Sequence, residues 1–260
     1  MAEATAIGTE APYRVVAIEK VTSTIVELWL WPLGAPLDYL PGEYVLIEDQ
    51  SGEILPRSYS IANAPRSDQL ISMLVTRVPG GRTSNWIHDG LKVGDELILS
   101  GTYGSFVDDP ASTAPGLFLA AGSGLAPIRA LIDAGLAAGV RRSLTLIFSA
   151  RTLGDVIDRE RFAGWESRHP QFRFIRTLTR AGPSPRRRIP ALLPTLYDEL
   201  GDHDVFIAGA PAFVLACAAA VEALGASRAR IHTEVFFAEP LPLVVCTADG
   251  EPPRPLRGEV

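Results

Sequence analysis

Four short runs in this chain combine residue types that hold phosphate or flat rings in other proteins. The first is Arg57-Ser58-Tyr59-Ser60. Arginine presents a planar fork of donors that fits a phosphate. Strand alternation sends Arg57 and Tyr59 to one face and Ser58 and Ser60 to the other. The same run also reads as an ordinary strand with a half-exposed arginine and a packed tyrosine. The second is Gly80-Gly81-Arg82-Thr83-Ser84, which leads into Asn85-Trp86-Ile87-His88. Glycines followed by hydroxyl residues at a helix start leave N–H groups for an anion. The alternative is a plain cap, with Thr83 or Ser84 closing the helix. In the third, Leu117 to Pro127, an apolar strand runs into Gly122-Ser123-Gly124 and a helix. Glycine lets backbone approach a pyrophosphate closely, and a helix N-terminus stabilises its charge. Pro127 stands where the dinucleotide fingerprint has its third glycine, and it suits a first helical turn. The fourth, Phe206 to Ala212 through Ala208-Gly209-Ala210-Pro211, is another strand–turn–helix junction, or a tight loop.

These runs need two kinds of scaffold. Up to about Ser100 the chain reads as short strands: Val15–Ile18, Ile25–Trp31, Tyr44–Glu48, Arg57–Ile61, Leu70–Val78 and Glu96–Ser100. They are rich in β-branched and aromatic residues and punctuated by proline and glycine. One helix, Ser84–Leu91, interrupts them, which suggests a small antiparallel barrel. The polar, proline-containing run from Asp108 to Gly116 reads as a linker. Strands and helices then alternate. The strands are Leu117–Ala121, Leu144–Ser149, Phe172–Thr177, Val205–Ala208 and Ile231–Phe237. The helices are Pro127–Ala138, Gly154–Arg168 (with Ile157, Phe162 and Trp165 buried), Pro190–Leu200 and Ala212–Leu224. That order predicts a parallel sheet covered on both faces. The expected organisation is a β-barrel domain over 1–108, an α/β domain over 109–237 and a proline-rich tail over 238–260.

Composition narrows the chemistry. The net charge of −6 over 260 residues argues against nucleic acid as the main partner. No apolar run is long enough to span a membrane, and Met1 to Pro12 lacks the basic and apolar regions of a signal peptide. The expected location is the cytoplasm. Two cysteines, Cys217 and Cys246, cannot supply the roughly four ligands of an iron–sulfur cluster, so any redox cofactor is organic. His88, His169, His203 and His232 show no metal spacing. Arg186-Arg187-Arg188 reads as a solvated loop or as a face for an acidic partner or phosphate.

In this order and separation, Arg-x-Tyr-Ser followed by Gly-x-Gly-x-x-Pro resembles the ferredoxin–NADP reductase superfamily. The likeness is strongest to the reductase components of bacterial ring-hydroxylating oxygenases, and it spans Tyr13 to Phe237. The resemblance implies FAD in the barrel and NADH or NADPH in the α/β domain. Arg57 would bind the FAD pyrophosphate, Tyr59 would lie against the isoalloxazine and Ser60 would hydrogen-bond near its N5. Gly81, Arg82, Thr83 and Ser84 would complete the pyrophosphate site through backbone and hydroxyls. Val75 and Thr76 would line the flavin. Gly122, Gly124 and Pro127 would hold the dinucleotide, with Ala208, Gly209 and Pro211 beside the nicotinamide. Glu234 and Phe236 match an acidic-x-aromatic pattern that closes over the flavin, which makes Ser60, Tyr59 and Glu234 the candidate catalytic residues. Hydride would pass from nicotinamide C4 to flavin N5, and electrons would then leave singly for a separate ferredoxin or iron–sulfur oxygenase component.

The sequence departs from the family's pattern in three ways. Ala208 stands where cysteine is common. Where a Cys-rich ferredoxin domain often follows the last strand, this sequence has only Leu241–Val260, in which Leu243–Gly250 could be the opening hairpin of such a domain, cut short or degenerate. Asp155 would favour NADH by repelling a 2′-phosphate, while Arg151, Arg159 and Arg161 leave NADPH open. Two alternatives stand beside the main reading: a reductase of free flavin, ferric chelates or oxygen, and a non-catalytic flavin-binding subunit for electron transfer or regulation.

Overall fold

The computed structural model describes residues 9–49, 54–180 and 188–237. The first half is a six-stranded antiparallel sheet built from β1 (Glu10–Lys20), β2 (Ile25–Pro32), β3 (Tyr44–Glu48), β4 (Arg57–Ser60), β5 (Ile71–Thr76) and β6 (Glu96–Tyr103). Its order is β4-β3-β6-β1-β2-β5, and an Ile61–Met73 bridge joins the two ends, so the sheet curls into a barrel. Alternation explains an unusual feature of β2 and β5, which are buried on both faces. Val26, Leu28, Leu30, Ile71, Met73 and Val75 fill the barrel. Ile25 and Leu74 point outward into a core shared with the second half.

That second half is an all-parallel sheet of β7 (Gly116–Ala121), β8 (Leu144–Ala150), β9 (Phe172–Leu178), β10 (Asp204–Gly209) and β11 (Ile231–Val235), in the order β11-β10-β7-β8-β9. Leu117 and Leu119 of β7 pack on one side, and Phe118 and Ala120 on the other. This two-sided burial is why the strand is continuously apolar. The helices of the first half and of the sheet are α1 (Arg82–Asn85), α2 (Leu125–Ala137), α3 (Arg159–Arg168), α4 (Ile189–Leu196) and α5 (Pro211–Ala223). The chain runs from β7 outward through β8 to β9, then returns to β10 on the other side of β7. The crevice at the carboxyl ends of β7 and β10 is therefore a topological switch point, the place where open α/β sheets bind ligands.

Several element boundaries differ from the sequence reading. The helix of the first half begins at Arg82, two residues before Ser84, and continues as a π turn over Trp86–Gly90. Its N-cap is Gly81 with no side-chain cap, not Thr83 or Ser84. The helix expected over Gly154–Arg168 is split into a 3-10 turn, Leu153–Asp155, and α3, because Asp158 has a φ of 55°, outside the right-handed helical region. Ile157, Phe162 and Trp165 are nonetheless buried as expected. α4 stops at Leu196, after Pro194, which gives no N–H to the last turn. β11 ends at Val235 because its partner β10 ends at Gly209. The tail from Ala238 and the pair Arg186-Arg187 lie outside the described residues. Among the described residues no helix is long and apolar enough to cross a membrane, and no group of three or more His, Cys, Asp or Glu could hold a metal.

Candidate active site at the junction of barrel and sheet

The barrel places Arg57 and Tyr59 on the β4 face shared with Ile47 and Val45, their cross-strand partners. Tyr59 packs against the barrel core, and burial pushes its hydroxyl up to about 12, an effect the nearby Arg57 charge opposes. Arg57 donates from Nη1 to the carbonyl of Pro56 at 3.0 Å and has no carboxylate partner among the described residues. The Thr83 hydroxyl donates to the Leu55 carbonyl at 3.1 Å, which pins the start of α1 beside the start of β4. A guanidinium with no carboxylate partner among the described residues and the first amides of a helical turn are therefore brought to neighbouring element starts, a donor set that fits a phosphate. The hydroxyls expected to join that set are already used. The Thr83 hydroxyl donates to Leu55, and Ser84 Oγ donates to the Gly81 carbonyl at 3.4 Å while accepting from the Val78 N–H at 3.1 Å. Only backbone remains available from these two residues.

Ser60, on the opposite face of β4, is buried against the second half of the chain. Its Oγ donates to Glu234 Oε1 at 3.2 Å, across 174 residues of sequence. Burial raises the Glu234 carboxyl above the usual glutamate range, and the Ser60 hydrogen bond partly offsets this. A second bond crosses the same junction, from Thr76 Oγ1 at the end of β5 to Ser123 Oγ in the Gly-x-Gly turn, at 2.8 Å. Val75 does not offer its side chain here, since it is fully buried inside the barrel.

The two glycines of the turn do different work. Gly122 has a φ of +58° with open space where a side chain would go, as a close backbone approach to a ligand requires. Gly124 faces protein. A Cβ there would sit 2.3 Å from the Ala208 carbonyl oxygen and 2.7 Å from the Gly209 nitrogen. Gly124 thus lets the β7–α2 turn close onto the end of β10. Pro127 is buried within α2, and the Ala208 side chain belongs to the shared core. Gly209 and Pro211 form the β10–α5 turn, with Ala210 as N-cap and Pro211 in the first turn of α5. The Gly209 carbonyl accepts the Phe236 N–H at 2.8 Å, which lays the acidic-x-aromatic segment over that turn.

At the end of β8, Arg151 is exposed. Asp155 caps its own 3-10 turn: Oδ2 accepts the Thr152 N–H at 2.9 Å and the Thr152 hydroxyl at 2.7 Å. Beside it, an open groove of about 720 Å³ is lined by Gly154, Asp158, Arg159 and Arg161 among others.

Sequence reasoning missed three participants. Ser123 is the unnamed middle residue of the Gly-x-Gly run. Arg129 is fully buried, and its signal was a lone charge in the apolar run from Leu125 to Ile132. Asp158 gave no signal, because its role depends on Arg129.

Residues 15–107 match the oxidoreductase FAD-binding domain family, and residues 118–219 match the oxidoreductase NAD-binding domain family. Ferredoxin–NADP reductase B of Sorangium cellulosum (strain So ce56) is 35% identical over 235 residues, covering 86% of this chain and 96% of that protein. The chain belongs to the ferredoxin–NADP reductase superfamily. Within that superfamily it is also similar to the terephthalate 1,2-dioxygenase reductase component 1 of a Comamonas species, at 34% identity over 213 residues. That match covers 80% of this chain and 62% of the relative, so the chain spans about three fifths of its length. Among solved structures, the Amycolatopsis cytochrome P450 reductase GcoB superposes with a TM-score of 0.80 at 28% identity, covering 89% of this chain and 71% of that one. The ferredoxin reductase of carbazole 1,9a-dioxygenase gives a TM-score of 0.78 at 25% identity, covering 88% and 70%.

Proposed function

We propose that this chain is a reductase that takes hydride from NADH, in preference to NADPH, onto FAD held in the barrel, and delivers electrons singly to a separate iron–sulfur protein. The observation that carries the reading is the pair of hydrogen bonds, Ser60–Glu234 and Thr76–Ser123, that join the barrel to the switch-point crevice. They bring a flavin-type cradle and a dinucleotide-type cradle to one point. When bound, the two cofactors supply the redox chemistry, and the protein supplies position, electrostatics and exclusion of water.

The chain's own residues then have separable tasks. Arg57 and the start of α1 hold the FAD pyrophosphate. Tyr59 presents its ring to the isoalloxazine, and Thr76 and the Val75 backbone line the flavin edge. Ser60 places a hydroxyl at the hydride-accepting position, and Glu234 orients that hydroxyl by accepting its proton in a hydrogen bond. Gly122 lets the dinucleotide approach the β7–α2 turn, while Gly124 and Pro127 shape the turn behind it. Gly209, Pro211 and the Ala208 backbone would flank the nicotinamide, and Phe236 would close over the flavin.

Preference for NADH rests on Asp155. One carboxylate oxygen is anchored by Thr152, which leaves Oδ1 to accept from ribose hydroxyls and to repel a 2′-phosphate. Arg151 then serves the pyrophosphate or adenine. The partner class is supported by relatives named as reductase components of dioxygenase systems. These residues hold no iron–sulfur cluster in this reading. Cys217 is buried with its thiol pushed up to about 12, which disfavours ligation. The activity belongs in the cytoplasm, where reduced nicotinamide is supplied.

The acceptor is tested by mixing the reduced protein with a [2Fe–2S] ferredoxin, free riboflavin or a ferric chelate under argon. Transfer to the ferredoxin should be fastest. Faster transfer to flavin or chelate would replace this reading with that of a small-molecule reductase.

A further inference from the structure

Among the described residues, Arg129 is the largest fully buried side chain, at 1% exposed. It lies on α2, just past the Gly-x-Gly run, and every side-chain hydrogen bond it makes leaves that helix. Nε donates to the Ala62 carbonyl at 2.6 Å. Nη2 donates to Glu27 Oε1 on β2 at 2.5 Å and to Ser72 Oγ on β5 at 3.0 Å. Nη1 donates to Asp158 Oδ2, in the loop after β8, at 2.5 Å. Burial works against the charge, yet the two carboxylates hold its pKa above the ordinary arginine value.

Three of the four residues it grips, Ala62, Ser72 and Asp158, adjoin the proposed cofactor cradles, and the fourth, Glu27, lies on β2 of the barrel wall. Ala62 lies two residues past Ser60. Ser72 shares β5 with Thr76, and its N–H is itself held by Asn63 Oδ1 at 2.6 Å. Asp158 lies three residues past Asp155 and lines the groove beside it. Asp158 also sits in a left-handed conformation, φ 55°, and pairs with Arg161 at 3.3 Å.

Stability alone is a poor reason to keep such a group. A buried ion pair is commonly matched or bettered by apolar residues of similar volume. An apolar side chain would not fix four segments in direction as well as in contact, and a planar guanidinium does. We infer that Arg129 is a positioning residue for hydride transfer, a buried clamp that sets the separation of the two cradles and, through Asp158, holds the loop that receives the adenosine end of the dinucleotide. This inference rests on the function proposed above.

The test uses the full chain saturated with FAD. Asp158→Gly removes one arm at a position whose backbone suits glycine. Arg129→Met combined with Glu27→Gln removes the whole clamp without leaving a buried carboxylate unpaired. Both variants should bind FAD and be reduced by dithionite as the parent is. In the double variant, the rate of flavin reduction at saturating nicotinamide should fall by about a hundredfold, the cost of misplacing reacting groups by an ångström. In Asp158→Gly, calorimetric affinity for NAD+ or NADP+, whichever the parent binds more tightly, should fall about tenfold, a typical coupling between linked sites. The limiting reduction rate of that variant should change less.

Parent-like reduction in the double variant, or parent-like dinucleotide affinity in Asp158→Gly, would show that the clamp serves folding only. If the double variant does not fold, Asp158→Gly decides alone. A parent reduced by dithionite but by neither nicotinamide would overturn the proposed function instead. The affinity series would still report on the clamp.

Discussion

Replacing Gly124 by alanine tests the junction most sharply, because the obstacle is backbone and cannot swing aside. The new Cβ would lie 2.3 Å from the Ala208 oxygen, 2.5 Å from its carbonyl carbon and 2.7 Å from the Gly209 nitrogen, where ordinary contact begins at 3.4 Å. Relieving the worst of these requires the β7–α2 turn and the end of β10 to part by about 1 Å, a forced shift of the overpacking kind that costs roughly 1–3 kcal/mol. The chain should therefore still fold, with a lower Tm. The functional loss should be larger than the stability loss. Both turns flank the proposed nicotinamide site, and a misplacement of about 1 Å costs on the order of a hundredfold in rate. Rapid anaerobic mixing of FAD-loaded Gly124→Ala with NADH should show slowed flavin reduction with weakened half-saturation, while FAD content stays at the parent level. Parent-like reduction kinetics would refute the reasoning, since they would mean that the close approach of these turns does not position the dinucleotide.

Three further outcomes follow from the same structure. Arg57→Ala should weaken FAD retention by roughly 1.5–3 kcal/mol, the worth of a charge-assisted bond; equal retention after extensive dialysis would remove Arg57 from the phosphate site. Glu234→Gln should change stability with a defined sign. The raised Glu234 pKa means that ionising the buried carboxyl costs the folded state, so the variant should melt higher than the parent at neutral pH, with the difference vanishing below the usual carboxylate pKa of about 4.3; melting curves across pH that show no such convergence would contradict it. Asp155→Ser should narrow the gap in kcat/KM between NADH and NADPH, and a parent that already uses NADPH more efficiently would show that Arg151, Arg159 and Arg161 outweigh the carboxylate.

The two halves of the fold were legible because their signals are local. Val45 and Ile47 alternate as a barrel strand must, and Leu117 to Ala120 are continuously apolar as a central parallel strand must be. Tyr59, Ser60 and Glu234 were legible as candidates because the resemblance attaches roles to their motifs. Their meeting is a property of the fold, since 174 residues separate Ser60 from Glu234. What stayed hidden is the reuse of side chains by the scaffold. Thr83 and Ser84 carry hydroxyls suited to phosphate, yet each is satisfied by a carbonyl or an amide nearby. Asp155 reads as a ribose ligand and also caps its own turn. Arg129 carries no motif at all, and its importance comes from Glu27, Ser72 and Asp158, which only the tertiary structure assembles.

The central claim is that the chain moves hydride from a nicotinamide to FAD across this junction, and the most direct measurement is anaerobic mixing of the FAD-loaded protein with NADH while the visible flavin band is followed. The band should bleach within the mixing experiment at one NADH per flavin, faster than with NADPH. A flavin that stays oxidised with both nicotinamides, yet bleaches with dithionite, would contradict it.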